Sequence, residues 1–281
     1  MIKDIQKKYA MDLALDKPIN IGGFELFPVK FKNALLFYSA VEIIKLNKEN
    51  YNPIYIKMSY YNFLCHYITS LKEGDVEEQR KGDLLIILFS SLFSLVLNRE
   101  VLTRFNYNRA EKKGEILLYN SKDLTPAEAY SQEKYEIINK DDFEEIRSVI
   151  VYQNIPDYIN FDNYSKDMKE LIKQEEERRA KHSNTTMEDR IDSLIVATGL
   201  KVEDIAEMTM RRFSRLYDRM IKKVEYQINK SASMSGFVTF KDESILAPWT
   251  ETIRKDPLKG IIADFDSTVG KFEGNAGYAQ K

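Results

Sequence analysis

Leu84–Leu97 reads LLIILFSSLFSLVL, the longest apolar stretch of the chain, 14 residues with three serines among them. A helix that crosses a bilayer needs about 20 apolar residues. Asp83 on one side and Asn98–Glu100 on the other close the run before it reaches that length. The stretch therefore predicts a core helix buried inside a globular body, and no membrane partner. The remaining composition can supply such a body. Hydrophobic residues are 43% of the 281, too many for a chain that stays disordered. With 11 Gly and 7 Pro, collagen-like or low-complexity architecture is excluded. The opening MIKDIQKKYAMDLALDKP has charged residues throughout and no apolar core, so it does not read as a secretory signal. One cysteine cannot close an internal disulfide, and two histidines cannot make a His-rich metal site. The expected compartment is a reducing cytoplasm.

Around the apolar run the pattern alternates between helix and short strand. INIGGFELFPVKFK, Ile19–Lys32, predicts a hairpin or strand pair turning at Gly22–Gly23. Asn33 looks like a helix start, with Ala34–Leu46 following, and Met58–Leu71 is a second helix burying Tyr61, Leu64, Cys65 and Ile68. Lys72–Gly82 reads as a polar connection. Val101–Tyr119 predicts a hairpin turning through Asn108–Gly114, and Tyr135–Ile138 a third short strand. Asn139 or Asp141 can cap a helix over Asp142–Gln153 that buries Phe143, Ile146, Val149 and Ile150.

KDMKELIKQEEERRAKH, Lys166–His182, is dominated by charge and reads as an exposed helical linker. Beyond it, Thr185 with Glu188 or Thr186 with Asp189 fits a capping box opening Met187–Thr198, which Gly199 would end. Val202–Met208 is a short helix, and Thr209 can cap a long one, Met210–Ser231, ended by Gly236. Phe237–Phe240 is β-like. The expected fold is mainly α with a small β component. Its parts are an α+β domain over 1–163, a charged helical linker over 164–186, a helical domain over 187–240 and an irregular tail over 241–281.

Three constellations could carry chemistry. Asp264-x-Asp266-x-Thr268 follows an apolar run and resembles the first motif of haloacid-dehalogenase-type phosphatases, where paired carboxylates share a Mg²⁺. Only 13 residues follow Thr268 in this sequence, too few for the sheet that motif opens. Cys65 and His66 are adjacent, and adjacent helical residues point about 100° apart rather than toward each other. Ile191–Met208 has a helix–Gly–helix layout followed by a basic stripe, the pattern of a helix-turn-helix nucleic-acid regulator. Glu203, Asp204 and Glu207 occupy its recognition position and oppose DNA, so nucleic acid is a disfavoured partner. With no Gly-rich phosphate loop, nucleophile elbow or Cys-x-x-Cys pair, the reading is a non-enzyme without metal or cofactor.

The net charge of −2 hides the stripe. Arg211, Arg215, Arg219 and Lys222 recur at spacings of four, four and three, widened by Arg212 and Lys223, over an apolar side that includes Phe213, Tyr217 and Met220. These nine residues are the candidate partner-binding site, and a protein is the expected partner. Met208, Met210 and Met220 would add adaptable apolar surface.

Several segments share a resemblance. The Gly22–Gly23 strand leading into a helix and YEIINKDDFEEIRSVIVYQN, Tyr135–Asn154, resemble tail assembly proteins of tailed bacteriophages. MTMRRFSRLYDRMIKKVEYQINKSASMSGFVTFK, Met208–Lys241, resembles the C-terminal segment of tail assembly chaperones from phages and prophages of low-GC Gram-positive hosts. The resemblance implies a host-cytoplasmic, non-enzymatic assembly factor. It would hold the tape-measure protein soluble and recruit tail-tube subunits, with self-association possible. It also leaves open a structural component of the virion tail, neck or baseplate.

Overall fold

The computed structural model describes residues 5, 7–120, 134–156, 158, 166–181, 185–238, 240 and 246–251. The chain is mainly α with a small β component. It falls into two compact units, Met1–Tyr158 with Leu200–Leu216 and Ile159–Gly199 with Tyr217–Lys281.

In the first unit, α1 (Ala10–Ala14) precedes the hairpin of β1 (Ile19–Ile21) and β2 (Phe24–Leu26). Gly22 and Gly23 sit at φ +57 and +88, left-handed values that favour glycine, and so make the turn. The helix expected over Ala34–Leu46 is α2 (Ala34–Val41), continued as a tighter 3-10 turn over Glu42–Lys45. Next comes α3 (Tyr60–Lys72), capped by Ser59, whose hydroxyl accepts from Asn62 N at 3.2 Å. It buries Tyr61, Leu64, Cys65 and Ile68, as the spacing predicts.

The polar connection expected over Lys72–Gly82 is wrong for most of its length. α4 (Val76–Val96) already begins there, opened by a capping box. The Asp75 carboxylate accepts from Glu78 N at 2.9 Å and the Glu78 carboxylate from Asp75 N at 3.1 Å. The charged first turns of α4 face solvent, while Phe89, Leu92, Phe93 and Val96 are fully buried. Each such large apolar side chain contributes roughly 1.5–3 kcal/mol on leaving water.

β3 (Val101–Asn108) pairs antiparallel with β4 (Lys113–Asn120) from Val101↔Asn120 to Asn108↔Lys113. β5 (Glu136–Ile138) joins the other side of β4. α5 (Lys140–Asn154) starts at Asn139, whose side chain accepts from Asp141 N at 3.1 Å. Phe143, Ile146, Val149 and Ile150 pack into the core. Tyr61 ties α3 to the sheet: its hydroxyl accepts from Ile116 N and donates to Ile138 O, both at 2.9 Å. The buried Arg147 donates to Ile44 O at 2.5 Å, and its guanidinium lies 3.7 Å from the centre of the Tyr60 ring.

The segment Leu200–Leu216 joins this unit from far along the chain. It contains α8 (Val202–Glu207) and the start of α9 (Met210–Met234), while α6 (Lys166–Lys181) and α7 (Met187–Thr198) belong to the second unit. Phe31 N donates to Met208 O at 2.8 Å and Met210 N to Val29 O at 2.9 Å. Phe213 stacks on Phe31 with ring centres 4.0 Å apart. Glu207 accepts from Lys30 at 2.6 Å and Lys32 at 2.5 Å. Those two bonds hold its carboxyl down to about 2. A carboxylate depressed on folding contributes stability above its ordinary value near 4.5, lost as pH falls toward the folded value. Glu207→Gln is therefore expected to lower the melting temperature at pH 6, with the gap to the parent closing by about pH 2. Melting curves across that range, read by circular dichroism, check it; a gap that stays constant with pH contradicts it.

The second unit holds α6 (Lys166–Lys181), α7 (Met187–Thr198) and α9 from Tyr217 onward. Of the two predicted boxes, the pairing that forms is Thr186 with Asp189: Asp189 N donates to the threonine hydroxyl at 3.1 Å, and Thr186 N to the carboxylate at 2.7 Å. Gly199 ends α7 at φ +73. Thr209 caps α9, accepting from Arg212 N at 3.0 Å, and the helix runs three residues past the predicted Ser231. The β-like reading of Phe237–Phe240 is not met: Phe237, Val238 and Phe240 are in no strand. Phe237 lies just past the left-handed Gly236 and is 95% exposed.

Candidate partner-binding site

The serines inside the apolar run explain the first candidate surface. Ser90 and Ser94 lie one turn apart on α4, beside the outer edge of β3. Thr103 N donates to Ser90 Oγ at 3.1 Å, and Val101 N to Ser94 Oγ at 3.0 Å. Ser94 Oγ donates in turn to Val101 O at 3.2 Å, and the Ser90 and Thr103 hydroxyls are 2.8 Å apart. Side chains thus take the place of a further strand, and the edge at Val101–Thr103 is closed to strand addition. Beside this seam a groove of about 700 Å³ opens between α2, α4 and β3. Leu36, Ile86, Ile87, Ser91, Leu95 and Leu102 line it, with Asn98–Glu100 at one end. At that end Arg99 pairs with Glu136 at 2.5 Å.

The apolar run is therefore not wholly buried, which corrects the core-helix reading. Leu84 is 55% and Ile87 60% exposed, and on α2 Leu35 and Leu36 are 84% and 47% exposed. The signal was in the sequence: LLIIL places aliphatic residues on every side of the helix, more than one core face uses.

Among the described residues the titratable groups offer no comparable arrangement. Cys65 is fully buried, and burial pushes its thiol up, away from the reactive thiolate. His66 Nδ1 lies 3.2 Å from Tyr55 Oη and 3.3 Å from Ser70 Oγ. Burial first, then the nearby Arg109 guanidinium, lowers its pKa. Cys65 and His66 thus go to different surroundings. No group of three or more His, Cys, Asp or Glu that could hold a metal occurs among the described residues. Asp264 and Asp266 lie outside those residues.

The structure divides the predicted basic stripe between different tasks. Arg211 is buried and donates to Tyr152 O at 2.7 Å. Arg212 donates to Asp16 Oδ2 at 2.9 Å and to Ala14 O at 3.0 Å. Phe213 and Met210 are buried. These residues fasten the start of α9 to the first unit; Arg215, on the next turn, is exposed. In the second unit Tyr217, Arg219, Met220 and Lys222 are half-buried and Lys223 is exposed. Arg190 on α7 lies 5.5 Å from the Tyr217 ring centre.

Residues 175–254 match the family model described as the YomV second domain. That family is phage-derived. The match runs from the second half of α6 through α7, α8 and α9 to the Leu246–Glu251 region. It leaves the groove residues outside. No curated protein and no solved structure matches the chain. No helix among the described residues is long and apolar enough to cross a membrane.

Proposed function

We propose that the protein is a non-enzymatic phage tail assembly chaperone that holds an apolar-striped helix of the tape-measure protein in the α2–α4–β3 groove. The groove carries this reading. Its exposed leucine and isoleucine side chains suit the apolar face of a helix, while the closed β3 edge disfavours a partner that adds a strand. The phage-derived family over 175–254 supports the setting, and the resemblance supplies the tape-measure and tail-tube proteins as partners.

Co-expression with a tape-measure fragment tests it. The parent protein is expected to bring the fragment into the soluble fraction, and Ile87→Asp to abolish that effect. Because Ile87 is 60% exposed, the variant is expected to stay folded, its own stability falling by about 1–2 kcal/mol, which a thermal melt checks. A fragment as insoluble with the parent as without it contradicts the proposal. Stoichiometric amounts of the protein in purified virions would instead favour a structural place in the tail.

A further inference from the structure

Part of the basic face of α9 in the second unit is contacted by the chain's own Leu246–Glu251 segment. Arg219 Nη1 donates to Trp249 O and to Glu251 O, each at 2.5 Å. Lys223, one turn further on, places its ammonium 5.8 Å from the Trp249 ring centre. Glu251 N donates to Pro248 O at 3.0 Å, closing Pro248–Glu251 into a turn that presents both carbonyls to one guanidinium. Two charge-assisted bonds and a cation beside an indole make a specific seat for a peptide turn.

We propose that Leu246–Glu251 is a cis-acting strap over the Arg219–Lys223 face of α9, and that an acidic peptide segment competes with it for those two cations. The seat already accepts peptide carbonyls and an aromatic ring, so its chemistry suits protein. The strap keeps Arg219 bonded and holds the indole beside the exposed Lys223 until a competing carboxylate-rich segment arrives. The proposal is independent of the groove, since none of its residues lines it.

Trp249 is the chain's one tryptophan, so its fluorescence reports the strap alone. In the full chain it is expected to resist acrylamide quenching relative to a free tryptophan amide. Arg219→Gln should shift the closed-to-open ratio about tenfold toward open, with quenching rising accordingly. Far-UV circular dichroism checks that the helix is kept. Binding of labelled poly-L-glutamate, read by anisotropy at low salt, gives the second arm. Trp249→Ala keeps both cations but weakens the strap, and should bind the probe several-fold more tightly than the parent. Trp249 as quenchable in the parent as the free amide overturns the strap. Quenching unchanged in Arg219→Gln also overturns it, as does equal or weaker probe binding by Trp249→Ala. Preference of Trp249→Ala for a polynucleotide over poly-L-glutamate at equal charge overturns the partner class.

Discussion

Gly114→Ala is expected to cost about 3 kcal/mol, lowering the melting temperature by roughly 5–10 °C. A Cβ built on Gly114 would lie 2.5 Å from Cys65 Cβ and 2.6 Å from its Sγ. Both Cys65 atoms belong to a fully buried position on α3, so neither swings away as the tip of a flexible side chain would. The strand cannot easily retreat either. Gly114 N donates to Asn62 Oδ1 at 3.1 Å, and Asn62 Nδ2 to Lys112 O at 3.3 Å, which fastens the hairpin turn to the same helix. A double variant separates the contributions. Cys65→Ala removes Sγ but keeps the Cβ, so Gly114→Ala/Cys65→Ala should recover only part of the loss. Thermal melts of the two variants check this. A melting temperature for Gly114→Ala within about 1 °C of the parent would show that the close approach of α3 and β4 is not as tight as described.

Asn154→Ala is expected to cost about 2–3 kcal/mol. Asn154 is fully buried at the end of α5. Its Oδ1 accepts from Val29 N at 2.7 Å and its Nδ2 donates to Ile150 O at 2.8 Å. Alanine would leave the Val29 N–H buried without that acceptor, and an unmade buried hydrogen bond costs more than a made one contributes. The effect should spread, because Val29 O also receives Met210 N. Amides of Leu200–Leu216 are expected to exchange faster in the variant, while those of β3 and β4 keep their protection. Asn154→Asp supplies a second check. It keeps an acceptor for Val29 but buries a carboxylate, whose pKa burial raises, so its deficit at pH 7 should shrink as pH falls and the acid becomes neutral. A deficit that does not change with pH contradicts the burial.

Local features were readable from the sequence wherever one short motif decides one geometry. Gly22–Gly23 turns a hairpin, Thr186 with Asp189 caps a helix, and Gly199 ends one at positive φ. The Asp75–Glu78 box has the same kind of signal and starts α4 inside the polar stretch. Long-range choices were harder. The period of Arg211, Arg215 and Arg219 shows that they share one side of a helix, but not what that side meets. Arg211 meets a buried carbonyl, and Arg219 the carbonyls of a later turn. The return of Leu200–Leu216 to the first unit depends on Val29–Phe31, far away in sequence. The groove depends on which aliphatic residues of an all-round apolar helix stay uncovered, and periodicity carries no information about that.

Amide hydrogen exchange on the protein with and without a tape-measure helix tests the central proposal most directly. New protection is expected over Leu84–Leu95 of α4 and over Leu35–Leu36 of α2, and its loss with Ile87→Asp. Binding that protects other surfaces while leaving α4 unchanged would contradict the groove, and no protection anywhere would contradict the chaperone reading itself.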